Sequence, residues 1–310
     1  MRQRIITGII FTLAIAVFII PGYWTIWPPL VLFAGIAVLA SHELIGALRH
    51  RGLDASYHLA TAGSLLILVP LAGGRIFSQA GLLQDLTGNR LPGFAAGLAS
   101  IERPLISLGL TLFIMILFIM VGTMVLLLRK GPDSLPDAAS TAAVMGYVAF
   151  PLSCPILLLD QVSGGWLWVV IGLASPWVSD VFAYFTGSFL GRHPIVPTLS
   201  PKKTVEGFLG GIVGSMLIQT LIFWLFRQQL GHGQTGLPIL LLFAMSTGLV
   251  LSVASQFGDW FASGFKRWCG IKDFSKLMPG HGGIMDRFDS AFFTLPLTLV
   301  MACLYQIVQS

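Results

Sequence analysis

Charged residues are scarce in this chain, since Asp, Glu, Lys and Arg make up only 10% of its 310 residues. A soluble domain normally carries about 25% charged residues, so the shortage excludes an ordinary water-soluble fold. Cysteine is scarcer still, with three residues, Cys154, Cys269 and Cys303. Their spacing matches neither a disulfide framework nor a cysteine metal site, and it therefore indicates neither.

Apolar residues are abundant, at 55% of the chain, and the mean hydropathy is +0.85. Crossing a bilayer core about 30 Å thick takes roughly 17 to 25 apolar residues. Nine candidate runs lie near residues 5–20, 25–40, 57–73, 104–128, 138–159, 165–189, 207–226, 237–257 and 289–307. Lipid offers no partners to open backbone groups, and the runs lack the alternation of barrel strands. The sequence therefore predicts an all-α polytopic integral membrane protein with about nine transmembrane helices.

The distribution of Lys and Arg predicts the orientation of these spans. With nine spans and a cytoplasmic N-terminus, 14 of the 18 Lys and Arg residues fall on the cytoplasmic side, as the positive-inside rule requires. The C-terminus is then outside. Spans one to four carry almost no ionisable residues, so we interpret 1–130 as a transmembrane scaffold and 131–310 as a catalytic region with cytoplasmic loops. Residues 41–56 are a candidate for a short amphipathic helix at the cytoplasmic face.

The first cluster of candidate site residues begins inside the sixth predicted span. An unpaired carboxylate at Asp180 would cost roughly 2.5 to 3.5 kcal/mol there, which calls for a partner. Gly and Pro residues break the helix after it, and a loop follows that carries Ser200, Lys202, Lys203 and Thr204. Hydroxyl and ammonium groups beside a helix start suit phosphate oxygens. Two alternatives stay open: Asp180 bonded to a neighbouring helix, and a basic loop that serves only membrane topology.

A second cluster packs eight charged residues into the 27 positions from 263 to 289. Upstream of it and within it, residues at helical offsets of zero, four, seven and eight share one stripe: Asp259, Ser263, Lys266 and Arg267. Asp286 and Asp289 are three apart, so their carboxylates would point the same way in a helical turn and suit Mg²⁺. Glycines before them allow backbone amides to approach an anion. An amphipathic surface helix and an ion-paired helix start are the alternatives.

These two clusters resemble the phosphatidate cytidylyltransferases, also called CDP-diacylglycerol synthases. The signature stretch matches at Ser263, Lys266, Arg267, Lys272, Asp273, Ser275, Pro279, His281, Gly282, Gly283, Asp286, Arg287 and Asp289. A second block matches at Asp180, Ala183, Tyr184, Gly187, Gly191, Pro197, Ser200, Pro201, Lys202, Lys203, Thr204, Glu206 and Gly207. The first four spans are similar to the family only in being apolar. One position departs from the pattern, because Ala262 stands where the family usually has glutamate.

The resemblance implies that CTP and phosphatidic acid react to give CDP-diacylglycerol and pyrophosphate, with membrane lipids but no nucleic acid as partners. It implies Mg²⁺ or Mn²⁺, with a second, monovalent cation as a further candidate. The implied metal ligands are Asp180, Asp259, Asp286 and Asp289. The implied catalytic residues are Ser263, Lys266, Arg267, Asp286 and Asp289. The implied substrate-binding residues are Ser200, Lys202, Lys203, Thr204, Lys272, His281, Gly282, Gly283 and Arg287.

The resemblance also suggests a homodimer. The short single-domain chain with brief loops suggests a bacterial plasma membrane, and the distribution of Lys and Arg places the active site at the cytoplasmic face. Three other hypotheses remain. A CTP-dependent kinase acting on a polyprenol or another lipid alcohol would release CDP rather than pyrophosphate. An ion-coupled transporter would use Asp180 as a relay and the Pro and Gly breaks as discontinuous helices, although the sequence shows no repeat. An inactive scaffold is suggested only by Ala262.

Overall fold

The computed structural model describes residues 2–71, 93–197, 200–230, 236–278, 280 and 282–309. Helices account for most of these residues. In chain order they are α1 Arg2–Ile19, α2 Trp27–His50, α3 Tyr57–Ser64, α4 Gly93–Lys130, α5 Leu135–Gln161, α6 Gly165–Leu190, α7 Val205–Leu225, α8 Arg227–Leu230, α9 Leu237–Trp268, α10 Met285–Phe288 and α11 Ala291–Gln309. Short 3-10 turns occur at Ile20–Tyr23, Leu65–Leu68 and Pro132–Ser134.

Seven helical stretches in the described part of the chain are long and apolar enough to cross a membrane. They are Trp27–His50, Pro104–Lys130, Pro132–Gln161, Gly165–Leu190, Val205–Leu225, Leu237–Trp268 and Met285–Gln309. Two further apolar helices, Thr7–Tyr23 and Tyr57–Leu71, are shorter. The described residues of the nine predicted runs are mostly helical, which confirms the prediction of a helical membrane protein.

The predicted amphipathic helix at 41–56 is wrong. Helix α2 continues without a break to His50, and residues 51–56 form a turn and an irregular segment. Leu44, Ile45 and Leu48 are almost fully buried and belong to the main apolar core. The buried face of α2 thus extends past the predicted span, and packing keeps this stretch helical.

A two-stranded hairpin joins α6 to α7, where the sequence predicts a loop. Strand β1, Pro194–Val196, pairs antiparallel with β2, Ser200–Thr204. Proline restricts its neighbourhood to extended backbone, which favours strands here. The Glu206 carboxylate accepts hydrogen bonds from the backbone amides of Arg192 and His193 at 3.0 and 3.3 Å, so the hairpin is tied to the first turn of α7.

Close packing of α6, α7 and α9 brings the second half of the chain together. A Cβ on Gly207 of α7 would lie 2.9 Å from the Ala183 carbonyl oxygen, and one on Gly211 would lie 3.0 Å from that of Ser179. Small residues of this kind let membrane helices approach closely. The hydroxyls of Ser179 on α6 and Ser252 on α9 are 2.8 Å apart and buried. The part of α6 around Ser179 and Ala183 is therefore packed closely against α7 and α9.

Candidate active site

A pocket of about 540 Å³ opens where the hairpin meets α6, α7 and α9. Six of the residues predicted to bind metal or substrate line it: Asp180, Ser200, Lys202, Lys203, Thr204 and Asp259. They come from α6, from β2 and from α9, which are separated in sequence by up to 79 positions. The pocket therefore combines two cations, two carboxylates and two hydroxyls from three elements.

Lys203 is at the centre of the charge arrangement in this pocket. Its Nζ forms an ion pair with the Asp259 carboxylate, and both side chains are about 30% exposed. It also interacts electrostatically with Asp180 and Asp289. Burial lowers the pKa of Lys203 below its usual 10.5, while these two carboxylates act in the opposite direction. One ammonium group is thus placed among carboxylates from three different helical segments.

Gly258 explains how α9 brings Asp259 to this position. A Cβ on Gly258 would lie 2.8 Å from the Ser290 Cα and 3.1 Å from the Asp289 carbonyl oxygen. Only a residue without a side chain permits this approach of α9 to the start of α11. The adjacent Asp259 is thereby brought into the neighbourhood of Asp289.

Asp286 is held almost entirely by the protein. Its Oδ1 accepts from Lys266 Nζ at 2.8 Å, and its Oδ2 accepts from the backbone amides of Phe274 and Gly283 at 2.8 and 2.9 Å. The Asp286 and Lys266 side chains are 5% and 14% exposed. The backbone of Gly282 has φ of +81°, in the left-handed region that favours glycine. This segment is therefore folded around the Asp286 carboxylate.

Asp289 has different surroundings from Asp286. It is 8% exposed, and its Oδ1 accepts from the Ser290 amide at 2.7 Å. Lys266, Asp286 and Arg287 act on it electrostatically. Asp286 thus serves mainly internal donors, whereas Asp289 lies within the electrostatic reach of Lys203 and Asp180.

The remaining predicted residues differ in exposure. Ser263 is half-buried, while Arg267, Lys272 and Arg287 are exposed. Thr204 caps α7, because its hydroxyl oxygen accepts from the Gly207 amide at 3.1 Å.

His281, predicted to shape the nucleotide loop, lies outside the described residues, as does Pro279. Its neighbours Gly282 and Gly283 are described and line the Asp286 carboxylate. Gly283 also touches Glu43.

The carboxylates of the site fit a divalent cation only in part. Among the described residues, no three His, Cys, Asp or Glu side chains are grouped as a protein-only metal site requires. Mg²⁺, however, commonly binds one or two carboxylates together with substrate phosphates and water. Asp259 pairs with Lys203, and the Asp180 and Asp289 carboxylates act on it electrostatically. These residues could hold a cation only together with ligands from outside the protein.

Sequence reasoning missed Glu43. Its carboxylate, 5% exposed on α2, accepts from Ser275 Oγ at 2.7 Å and from the amides of Ile284 and Met285 at 2.9 and 2.7 Å. One signal was present, because Glu43 is the only acidic residue among the 24 residues of α2. A lone carboxylate in an apolar helix indicates a specific partner.

A protein-family model matches most of the chain. The model described as "Cytidylyltransferase family" matches residues 90–305. The chain belongs to this family. The match covers α9, the hairpin and the two segments that carry the Asp and Lys residues of the pocket. The family resemblance noted in the sequence is confirmed.

Curated relatives carry a more specific name. Proteins named phosphatidate cytidylyltransferase from Staphylococcus saprophyticus, Staphylococcus epidermidis and Staphylococcus aureus are 36%, 37% and 33% identical to the chain. Each alignment spans 174 residues, which is 56% of this chain and 62% of the relative. The similarity thus covers somewhat less than two thirds of the relatives' length.

Proposed function

We propose that this protein transfers the cytidylyl group of CTP to phosphatidic acid. A phosphate oxygen of the lipid attacks the α-phosphorus of CTP, the bond from that phosphorus to the β-phosphate oxygen breaks, and pyrophosphate leaves with the electron pair. The nucleophile is already anionic near neutral pH, so no strong general base is needed. The protein's task is to hold two anions together and to neutralise charge on the leaving group.

The pocket between the hairpin and α9 is the observation that carries this proposal. Lys202 and Lys203 supply cations, and Ser200 supplies a hydroxyl, on one strand that faces Asp180 and Asp259. Lysine ammonium groups act as point charges for phosphate. We assign Lys202, Lys203 and Ser200 to the triphosphate of CTP. Exposed Arg267, Lys272 and Arg287 add positive charge to the segment that carries Asp286 and Asp289.

The lipid side of the pocket supports a diacyl substrate. Trp260 lines the polar pocket and also an apolar groove of about 930 Å³ along α9. Its ring stacks on Phe208, with centroids 5.7 Å apart. Phe257 and Phe261 in the groove are about half exposed. A lipid phosphate can therefore enter the polar pocket while its acyl chains stay in apolar surroundings.

A divalent cation, Mg²⁺ or Mn²⁺, is part of the proposal. Asp259 and Asp289, with Asp180 nearby, would hold it, and it would neutralise phosphate charge during transfer. Asp286 would act through its neighbours, since its three internal donors already hold it. Lys203 would remain beside these carboxylates and orient the nucleotide.

Nine spans with a cytoplasmic N-terminus are proposed for the topology. The Lys130 Nζ at the end of α4 bonds Asp54 at 2.7 Å, and Arg51 lies 5.5 Å from the Trp268 ring at the end of α9. The ends of α4 and α9 therefore share one face with the C-terminal end of α2. Helix α4 runs towards that face, so the chain between Asp54 and α4 must first reach the opposite face. The short helix Tyr57–Leu71 is the candidate for that crossing.

Contacts at the opposite face support the proposed positions of both termini. Trp166 Nε1, at the start of α6, donates to the Ile19 carbonyl at the end of α1 at 2.7 Å. Gln309 Nε2 donates to the Leu230 carbonyl at 3.3 Å. If α1 spans the membrane, its basic N-terminus lies on the same face as the hairpin and the signature segment, residues 263–289. We propose that this face is cytoplasmic, in a bacterial plasma membrane, and that the protein forms a homodimer.

Product analysis of the purified protein tests the proposal. With CTP, Mg²⁺ and phosphatidic acid in detergent, we expect CDP-diacylglycerol and pyrophosphate in equal amounts, and neither when the lipid is omitted. Lys203→Gln should lower kcat/KM for CTP by about tenfold or more, equivalent to at least about 1.4 kcal/mol. Lys276→Gln, which changes an exposed lysine of the same face, is the matched control. Release of CDP instead of pyrophosphate would identify a lipid kinase and contradict the proposal.

A further inference from the structure

One carboxylate from the N-terminal half of the chain reaches the signature segment. Glu43 on α2 is 5% exposed. Its Oε1 accepts from Ser275 Oγ at 2.7 Å and from the Ile284 amide at 2.9 Å, while its Oε2 accepts from the Met285 amide at 2.7 Å. Both carboxylate oxygens are therefore used, and every donor is more than 230 positions away in sequence.

These contacts fasten the segment at the point where it enters its last helices. The one-turn helix α10 begins at Met285, and Ile284 before it provides no side-chain cap. Amides at the start of a helical turn have no partner within the turn. Glu43 satisfies two of them, and an unmet buried amide is costly. The position of α10 therefore depends on a residue of α2.

Gly283 is matched in shape to this carboxylate. A Cβ on Gly283 would lie 2.4 Å from Oε2 and 2.5 Å from Oε1 of Glu43. The amide of Gly283 meanwhile donates to Asp286 Oδ2 at 2.9 Å. The backbone at this glycine is thus clamped between two carboxylates, and the absence of a side chain is explained by Glu43 rather than by an approaching anion.

The clamp continues directly to the charged residues of the site. Asp286 follows Met285, and its Oδ1 accepts from Lys266 at 2.8 Å. Asp289 lies three residues further on, within electrostatic reach of Lys203. Glu43 does not line the pocket, and it lies outside the family match at 90–305. Its link to the site is the segment that it holds.

We propose that Glu43 is a positioning residue, which sets the place of Asp286 and Asp289 by binding the backbone of residues 284–285. This inference rests on the proposed cytidylyl transfer for its catalytic consequence. The contact itself does not depend on that function. Two readouts, one of backbone protection and one of turnover, therefore keep the two ideas separable.

The test compares Glu43→Gln with the parent and with Asp54→Asn, a control that removes an exposed carboxylate from the same half of the chain. In Glu43→Gln an amide NH₂ replaces one acceptor, so one of the donors is left unmet. Hydrogen exchange at residues 283–287 should be about tenfold faster or more, with peptides of α6 and α7 unchanged. In Asp54→Asn, exchange at 283–287 should match the parent.

The turnover readout separates positioning from general damage. For Glu43→Gln we expect kcat to fall about tenfold or more, while KM for CTP stays within about threefold, because Lys202 and Lys203 are not touched. Gly283→Ala should lower kcat when Glu43 is present. It should lower kcat little further in a Glu43→Ala background, because the carboxylate with which the new Cβ would clash is then absent.

Three results would overturn the inference: unchanged exchange at 283–287, faster exchange with normal kcat, or additive effects of the two alanine substitutions. If the parent makes no CDP-diacylglycerol, but hydrogen exchange at 283–287 is still faster in Glu43→Gln than in the parent, the proposed function is contradicted and the Glu43 contact is supported.

Discussion

Changing Asp286 to asparagine should mainly reduce stability, whereas the same change at Asp289 should mainly reduce activity. Asp286 accepts from Lys266 and from two backbone amides, and its side chain is only 5% exposed. Asp286→Asn removes the charge that neutralises Lys266, whose side chain is 14% exposed. Breaking a buried pair from one side costs about 3 to 5 kcal/mol. We therefore expect a loss of about 3 kcal/mol in the free energy of unfolding, or roughly a hundredfold in the unfolding equilibrium.

Asp289→Asn should instead affect activity more than stability. Asp289 Oδ1 accepts a hydrogen bond from the Ser290 amide, and an asparagine oxygen can still accept it. We expect a stability loss below about 1 kcal/mol and a fall in kcat of about tenfold or more, because a carboxylate proposed to hold the divalent cation is lost.

Titration with SDS in mixed micelles, followed by tryptophan fluorescence, measures the unfolding free energies. Asp273→Asn, an exposed change in the same segment, is the stability control and should shift the free energy by less than about 0.5 kcal/mol. An Asp286→Asn protein as stable as this control would refute the internal role assigned to Asp286. An Asp289→Asn protein with parental kcat would remove Asp289 from the cation site.

Three further predictions follow from particular contacts. Burial lowers the pKa of Lys203, so its ammonium group loses its proton at a lower pH than that of an exposed lysine. Activity should therefore fall on the alkaline side of the pH–rate profile. Lys203→Arg should move this fall to higher pH. Gly258→Ala places a Cβ 2.8 Å from the Ser290 Cα and should cost about 1 to 3 kcal/mol of unfolding free energy with a matching loss of turnover, measured on one preparation. Thr204→Val removes the cap of α7 and should cost about 1 kcal/mol of unfolding free energy. Thr204→Ser keeps a hydroxyl at this position and should retain most of the parental stability in the same SDS titration. Equal stability losses in both variants would contradict the capping role.

Most of the helical architecture could be predicted because each span carries its own signal. A run of apolar residues long enough for a bilayer is sufficient to predict a helix, whatever the helix packs against. The end of α2 was mispredicted for the same reason, since its polar residues suggested a surface helix. In fact Leu44 and Leu48 are buried in the core, and this packing is not visible in a local window.

The residues of the site could be predicted better than their partners. Lys203 and Asp259 are conspicuous because charge is rare in this chain, and family resemblance groups them. That Lys203 pairs with Asp259, while Lys266 pairs with Asp286, depends on how α9 meets the hairpin and α10. Glu43 is conspicuous as the only acidic residue of α2, but its partners could not be predicted, because no sequence pattern connects α2 to residues 284–285.

The fate of the CTP phosphates tests the central claim most directly. The purified protein is given phosphatidic acid with CTP labelled at the α-phosphate in one reaction and at the γ-phosphate in another. Cytidylyl transfer predicts the α label in the lipid product and the γ label in pyrophosphate. A γ label in the lipid, or an α label that remains in soluble CDP, would contradict it.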